Sequence, residues 1–146
     1  MSTYCDTDKK IMYNSFLSRN KSRLQELLDY ARVSGFNKIG VANCKGVQPY
    51  ADKLIEILKK EGFEVFSISC KDSGLNGSCI CEEMTGPCCD PLSQAIYLNE
   101  QNTDLNINVG LCLGHGIIFS KHSKAPVTTF LVKDFATQHC SVENLK

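Results

Sequence analysis

The chain has 146 residues, 16 basic and 16 acidic side chains, nine cysteines and no tryptophan. This length is enough for one domain with a hydrophobic core, and the balanced charge argues against nucleic acid or an anionic membrane surface as a partner. The amino terminus is polar, and no apolar run approaches the roughly 18 residues that cross a bilayer. We therefore expect a cytoplasmic protein whose thiols stay reduced and are free for packing, metal binding or reaction.

Helices and strands alternate in the predicted order of elements. Residues 1–20 lack an apolar period and predict a tail or capping segment, and residues 21–146 predict a single α/β domain. Such alternation is typical of a three-layer sandwich around a four-stranded, mostly parallel sheet, for which we predict the strand order 2-1-3-4. The helices are predicted at 24–31, 49–58, 91–96 and 117–121, and the strands at 38–42, 63–69, 105–111 and 125–132.

Residues 71–90 interrupt this alternation with the sequence KDSGLNGSCICEEMTGPCCD. The segment is rich in glycine, serine and cysteine and has no periodic apolar face. A loop of this length in a compact domain is usually either functional or disordered. Its four cysteines favour a functional loop.

Three cysteines lie where three predicted strands end, at Cys44, Cys70 and Cys112. Ligands of open α/β sheets bind beyond the carboxyl ends of the strands, so we expect these thiols to converge although they are far apart in the chain. Lys133 and Asp134 follow the fourth strand at the same edge. Soft thiolates suit zinc, copper(I) and iron–sulfur clusters, and the sequence therefore predicts a shared thiol site.

His115 and Cys89 extend this candidate site. The spacing Cys112-Leu-Gly-His115 suits a bidentate zinc clip, and equally a thiolate activated by an imidazole. Cys89 precedes Asp90-Pro91 at a predicted helix start, where backbone amides and the helix dipole stabilise a thiolate. The remaining candidates have no assigned role; they are Cys5, Cys79, Cys81, Cys88, His139 and Cys140. A solvated tail better explains the two that follow the last strand, His139 and Cys140.

Several familiar site motifs are missing. Cysteine phosphatases carry Cys-x5-Arg, but Tyr50 and Ile118 stand six residues after Cys44 and Cys112. The glycines near residue 114 do not match the Gly-x-Gly-x-x-Gly fingerprint of dinucleotide-binding sites. The chain also lacks the Cys-x-x-Cys pair of thioredoxin-like proteins.

Several stretches carry a family resemblance. Ile39-Gly-Val-Ala-Asn-Cys44, Cys89-Asp-Pro-Leu-Ser-Gln-Ala and, most specifically, Gly110-Leu-Cys-Leu-Gly-His115 resemble segments of a cysteine-rich "metal-binding protein" family of prokaryotes, a family of unknown function. The resemblance covers about residues 30–139. It implies site positions at Cys44, Cys70, Cys89, Cys112, His115 and His139, but no established reaction. The chain departs from the family pattern in keeping only Cys5 of an amino-terminal cysteine pair and in the residues that follow Lys133-Asp134.

Three functions are compatible with these residues. The first, favoured by the number of soft ligands, is a metal-binding protein that holds zinc or an iron–sulfur cluster through Cys44, Cys70, Cys89, Cys112 and His115. The second is a thiol enzyme with Cys112 as nucleophile and His115 as base. The third is an adaptor domain that senses metal or redox state. Fold alone does not choose among these three functions. The expected partner is a metal ion, and a homodimer is left open.

Overall fold

The computed structural model of the protein describes residues 3–146. Within this range the chain forms five α-helices, four β-strands and three short 3-10 turns. The helices are α1 (Asp6–Ser18), α2 (Arg23–Val33), α3 (Gln48–Lys60), α4 (Pro91–Glu100) and α5 (Leu113–His122). The strands are β1 (Lys38–Asn43), β2 (Glu64–Ser69), β3 (Leu105–Val109) and β4 (Val127–Leu131).

The four strands form one sheet in the order β2-β1-β3-β4, and every neighbouring pair is parallel. This arrangement confirms the predicted strand order. It also places the point where the strand order reverses between β1 and β3, the position at which ligands of open α/β sheets bind.

Hydrophobic clusters on both faces of the sheet confirm the three-layer architecture. On one face, Val41 of β1 and Ile107 of β3 pack with the buried residues of α2 and α3. On the other face, Ala42 of β1 packs with Leu98 of α4 and Phe119 of α5. The alternation of side chains along each buried strand supplies both clusters, because successive residues point to opposite faces.

The start of α5 and the end of β3 differ from the prediction. The strand ends at Val109 rather than at residue 111, because Gly110 has a φ of 69° that breaks the extended backbone. A side chain at Gly110 would also collide with Val47, whose Cγ2 lies 2.7 Å from the position of a Cβ. Helix α5 then begins directly after Cys112, so the glycines expected in a loop lie in its first turns.

The amino-terminal segment, predicted as a tail or a capping segment, contains a helix of 13 residues. The polar residues Asn14 and Ser18 of α1 are buried, whereas its apolar residues are exposed. The first two residues of the predicted 1–20 segment lie outside the described part of the chain. None of the helices in residues 3–146 is both long and apolar enough to cross a membrane.

The cysteine-rich loop over residues 71–90 has a hydrogen-bonded structure of its own. The amide of Gly77 donates to the carbonyl of Gly86 at 2.8 Å, and the amide of Cys88 donates to the carbonyl of Leu75 at 2.9 Å. The loop returns to the sheet at Asp90, whose amide donates to the carbonyl of Cys70 at 2.7 Å. These contacts bring the end of the loop beside the end of β2.

Candidate thiol site

The site lies at the carboxyl edge of the sheet, and each strand contributes one residue to it. Cys44 and Cys70 directly follow β1 and β2, Cys112 follows β3 after a two-residue turn, and Lys133 follows β4 by two residues. Because the strands are parallel, their ends meet at one edge, and this brings together side chains that are far apart in the sequence.

Lys133 joins two of the thiols. Its Nζ donates to Sγ of Cys44 at 3.1 Å and to Sγ of Cys112 at 3.0 Å. Partial burial lowers the pKa of Lys133, but these hydrogen bonds and the charge of the sulfur atoms outweigh it, so the pKa is raised overall. The two sulfur atoms lie within about 6 Å of each other, since each is about 3 Å from the same nitrogen.

Cys44 is the buried member of this pair. It caps the short turn over Lys45–Val47, and its Sγ accepts a hydrogen bond from the amide of Gly46 at 3.4 Å. Burial raises the pKa of Cys44, but the hydrogen bonds from Lys133, from Gly46 and with Cys70 together lower it below its ordinary value. A thiolate is therefore favoured at Cys44.

Cys70 links Cys44 to Cys89. The Sγ of Cys70 accepts from the amide of Lys45 at 3.3 Å, and its side chain hydrogen-bonds to both neighbouring thiols. Burial and the contact with Cys70 raise the pKa of Cys89 to about 11. The thiolate expected at Cys89 is therefore wrong, because Asp90 and not the thiol caps α4, with its Oδ1 accepting from the amide of Ser93 at 3.0 Å.

Cys112 is the accessible member of the pair. It is half-buried at the start of α5, and its side chain makes no capping hydrogen bond. Together with Lys133 it lines an open groove of about 1000 Å³. The other walls of the groove are mainly apolar, and they include Leu111, Leu113, Ile117, Leu131 and Val132.

Asn108 brings a polar group to the same groove. Its Oδ1 accepts from the amide of Leu111 at 3.1 Å and so fixes the turn that leads to Cys112. Its Nδ2 lies 3.0 Å from the position that a Cβ would take at Gly116, so a larger residue there would crowd this amide. Throughout residues 3–146 no acceptor is hydrogen-bonded to this Nδ2, which leaves a donor available to a bound molecule.

His115 is the base that the sequence predicts for Cys112. It lies half-buried in the first turn of α5, and within the described chain its imidazole makes no hydrogen bond to Cys112 or to another side chain. The polar partner of Cys112 is Lys133. The predicted pairing of Cys112 with His115 therefore stays a prediction, and the hydrogen bond that the structure gives Cys112 comes from Lys133.

Part of the carboxyl-terminal tail packs beside the Cys44 side of the site, whereas Cys140 and residues 141–146 are exposed, as expected of a solvated tail. The ring of His139 makes edge contacts with Tyr50 at 5.8 Å and with Phe135 at 5.4 Å. The Nδ1 of this histidine accepts from the amide of Asp134 at 2.9 Å. Phe135 in turn lies against Gly46, where a Cβ would be 3.1 Å from the phenyl ring.

The remaining cysteines are separate from the four thiols of the site. Cys88 is half-buried, and its thiol donates to the carbonyl of Cys89 at 3.2 Å. The others are exposed and lie just before α1, on the surface of the 71–90 loop and in the tail; they are Cys5, Cys79, Cys81 and Cys140.

The arrangement of these side chains differs from a preformed metal cage. Within residues 3–146, no three histidine, cysteine, aspartate or glutamate side chains are grouped so that they could hold a metal ion. Between Cys44 and Cys112, the position that a shared cation would take is filled by the ammonium of Lys133. Metal binding therefore stays a prediction, and it requires Lys133 to move away.

Lys133 is the site residue that the sequence did not identify. The sequence predicts its place at this edge of the sheet but gives it no role, because an ammonium is neither a metal ligand nor a nucleophile. The available signal was its position directly beyond a strand end, the same criterion that selected the three cysteines. An ammonium beside thiols is a common way to stabilise thiolates.

Comparisons with known proteins place the chain in a family. A profile described as "Protein of unknown function (DUF1847)" matches residues 3–130. The chain belongs to the DUF1847 family. It is also 44% identical over 124 residues to the uncharacterized protein MJ0455 of Methanocaldococcus jannaschii. The match covers 82% of this chain and 64% of that relative, so the chain spans slightly less than two thirds of the relative's length.

Membership of DUF1847 confirms the resemblance to a prokaryotic family of unknown function. The positions Cys44, Cys70, Cys89 and Cys112 lie within the matched region, whereas Lys133 lies three residues beyond its end. Neither the family nor the relative supplies a reaction or a cofactor. The chemistry of the site is therefore inferred from its own residues.

Proposed function

We propose that the protein is a thiol enzyme in which the thiolate of Cys112 adds to a carbonyl carbon of a small substrate bound in the groove beside α5. The C–S bond forms as the π bond of the carbonyl opens, and its electron pair goes to the carbonyl oxygen. The observation that carries this proposal is the position of Lys133, which donates to the sulfur atoms of both Cys44 and Cys112 at the wall of that groove. The thiolate is the nucleophilic form of cysteine, and an adjacent ammonium stabilises it.

The two thiols of the pair have different roles in this proposal. Cys44 is buried and has a lowered pKa, so its thiolate next to Lys133 is favoured compared with that of an ordinary cysteine. Cys112 is the one that lines the groove and can reach a substrate. Because Lys133 donates to both sulfur atoms, the ammonium stays beside the sulfur of Cys112 that faces the substrate.

The start of α5 supports the same chemistry. The first helical amides, those of Leu113, Gly114 and His115, have no acceptor within the helix. The positive end of the helix dipole adds to their effect, so this position stabilises negative charge on sulfur or on a substrate oxygen. The free Nδ2 of Asn108 provides a further donor that orients the polar end of a substrate, while the apolar walls hold the rest.

Timed alkylation tests this proposal. Protein prepared without oxygen is treated with iodoacetamide at neutral pH, and the modified cysteines are identified by peptide mass mapping. We expect Cys112 to react first and stoichiometrically, with a rate that a chelator leaves unchanged. The Cys112→Ser variant should lose the fast phase, and Cys79→Ser, which removes an exposed thiol outside the site, should keep it. A uniform slow reaction of all thiols would contradict the proposal.

Binding of a thiophilic metal is the second candidate function. It is favoured by the linked thiols of Cys44, Cys70 and Cys89, with Cys112 joined to them through Lys133. A zinc or iron–sulfur site built from these four thiols would require Lys133 to leave and Cys89 to lose its proton. Elemental analysis and absorption spectroscopy of protein prepared without oxygen test it, and less than one metal equivalent per chain would count against it.

A further inference from the structure

Cys44 and Cys70 face each other at the ends of two neighbouring strands. Strands β1 and β2 are parallel, and their last paired residues are Asn43 and Ser69. The two cysteines come next on each chain segment, which places their Cα atoms about 5 Å apart, the usual spacing between neighbouring strands. The Cα atoms of a disulfide are about 4.4–6.8 Å apart, so this pair has the backbone spacing that a disulfide needs.

The two sulfur atoms also lie on the same side of the sheet. Both side chains belong to the buried cluster formed with α2 and α3. Sγ of Cys70 accepts from the amide of Lys45 at 3.3 Å, and Sγ of Cys44 accepts from the next amide, that of Gly46, at 3.4 Å. Consecutive amides of one turn therefore hold the two sulfur atoms, and the two thiols are hydrogen-bonded to each other.

Cys70 has a second thiol neighbour in Cys89, to which its side chain is also hydrogen-bonded. Cys44 is distinguished by the ammonium of Lys133, which donates to its sulfur at 3.1 Å. The thiolate is the form of cysteine that reacts with oxidants and disulfides, and an adjacent ammonium favours it. Oxidation should therefore begin at Cys44 and join it to Cys70.

A small oxidant has a path to this pair. Cys44 is 9% exposed, whereas Cys70 is 2% exposed. Lys133, which contacts the sulfur of Cys44, also lines the open groove beside α5. A molecule as small as hydrogen peroxide can approach Cys44 along this side, and Cys70 is then reached from Cys44 rather than from solvent.

We propose that Cys44 and Cys70 form a redox-active dithiol, which a small hydroperoxide such as hydrogen peroxide converts into a reversible disulfide. The sulfur of the Cys44 thiolate first attacks one peroxide oxygen. The S–O bond forms, the O–O bond breaks, and the released hydroxide takes up a proton to become water.

The second step closes the disulfide. The sulfur of Cys70 attacks the sulfenic acid of Cys44, the S–S bond forms and the S–O bond breaks, and the hydroxide leaves as water with the proton of Cys70. The two sulfur atoms together lose two electrons, which the peroxide gains. A dithiol reductant reverses the change by thiol–disulfide exchange.

This inference does not rest on the proposed reaction of Cys112. The two are nevertheless connected in the structure, because Lys133 donates to the sulfur atoms of both Cys44 and Cys112. A disulfide at Cys44 would change the charge beside this ammonium, and so the surroundings of the groove would respond to oxidant.

Peptide mapping without reduction tests the pair. The full chain is reduced, freed of reductant and treated with hydrogen peroxide in the presence of a chelator, and the remaining thiols are blocked with N-ethylmaleimide. Trypsin, which cleaves after lysine and arginine, leaves Cys44 alone on peptide 39–45 and Cys70 alone on peptide 61–71, whereas Cys89 lies on peptide 72–121. We expect 39–45 joined to 61–71, with the loss of two hydrogen atoms, and dithiothreitol should separate them. A link from 61–71 to 72–121, or peptides that stay unlinked after peroxide treatment, would overturn the proposal.

Variants test the order of the steps. Cys44→Ser should protect Cys70 from oxidation, measured as the fraction of peptide 61–71 that still carries N-ethylmaleimide, and the control Cys79→Ser, which removes an exposed thiol, should leave the link at its wild-type yield. In Cys112→Ser, which removes the proposed nucleophile, the link should still form, so failure of the enzyme proposal and failure of this inference are distinguishable. Circular dichroism checks that each variant folds, and the wild-type map decides if Cys44→Ser does not. Oxidation of Cys70 at the wild-type rate in folded Cys44→Ser, or loss of the link in folded Cys112→Ser, would refute the proposed dithiol.

Discussion

Replacing Lys133 with methionine removes the group that joins two thiols of the site. Methionine keeps a long flexible side chain but removes the ammonium and with it the hydrogen bonds to Cys44 and Cys112, at 3.1 and 3.0 Å. A hydrogen bond to a charged group is worth about 1.5–3 kcal/mol, and we use the lower end because the site is partly solvated. Since about 1.4 kcal/mol is a factor of ten, Lys133→Met should slow alkylation of Cys112 about tenfold at neutral pH.

The same substitution should raise the pKa of Cys44, because burial then acts without the opposing ammonium. The assay is the rate of iodoacetamide modification of each cysteine as a function of pH, followed by peptide mass mapping. Lys121→Met is the matched control, since Lys121 lines the groove but forms no hydrogen bond with a sulfur atom in the described chain. If both variants react at the wild-type rate, Lys133 does not stabilise the thiolate and our reasoning fails.

Three further predictions concern the elements that support the site. Asp90→Ala removes the cap of α4, so the free energy of unfolding should fall by about 1 kcal/mol and the 71–90 loop should be cleaved faster in limited proteolysis. Gly110→Ala should lower the free energy of unfolding by about 2 kcal/mol in urea titrations, because φ is 69° and the added methyl group would collide with Val47. Cys89 has a pKa of about 11 against an ordinary value of 9.0, so its contribution to stability should be complete below pH 9 and be lost as the pH rises toward 11. Urea unfolding of wild type and Cys89→Ala across that range should reveal a difference that shrinks with increasing pH.

Each of these predictions has a clear contrary outcome. Unchanged proteolysis of the loop in Asp90→Ala would mean that the serine and amide contacts of this carboxylate do not hold the loop. A Gly110→Ala variant as stable as wild type would mean that the turn after β3 can relax around a methyl group. A stability difference for Cys89→Ala that stays constant with pH would mean that burial does not raise the pKa of this thiol.

The sheet was predictable because its signal is local and repeated. Apolar strands such as 38–42 alternate with amphipathic helices, and this alternation determines both the parallel pairing and the edge at which Cys44, Cys70 and Cys112 meet. The boundaries of α5 were not predictable in the same way, because its first turn contains two glycines, which have low helix propensity. Packing on the sheet and the left-handed turn at Gly110 override that propensity.

The partners of the thiols depend on tertiary contacts that the sequence does not encode locally. His115 is near Cys112 in the sequence, but its imidazole makes no hydrogen bond to that thiol in residues 3–146, whereas Lys133, 21 residues further on, donates to it. The protonated state of Cys89 likewise follows from burial beside Cys70 and from the use of the α4 amides by Asp90. Spacing along the chain could indicate which residues gather at the edge, but not which of them form pairs.

The ultraviolet absorbance of thiolates gives the most direct measurement of the central claim, that Lys133 stabilises a cysteine thiolate at the carboxyl edge of the sheet. A pH titration of wild type should contain one thiolate with a pKa below the ordinary value of 9.0, which Cys44→Ser and Lys133→Met each remove and Cys89→Ser leaves in place. The claim is contradicted if every wild-type thiol has a pKa at or above 9.0 and Lys133→Met leaves the titration curve unchanged.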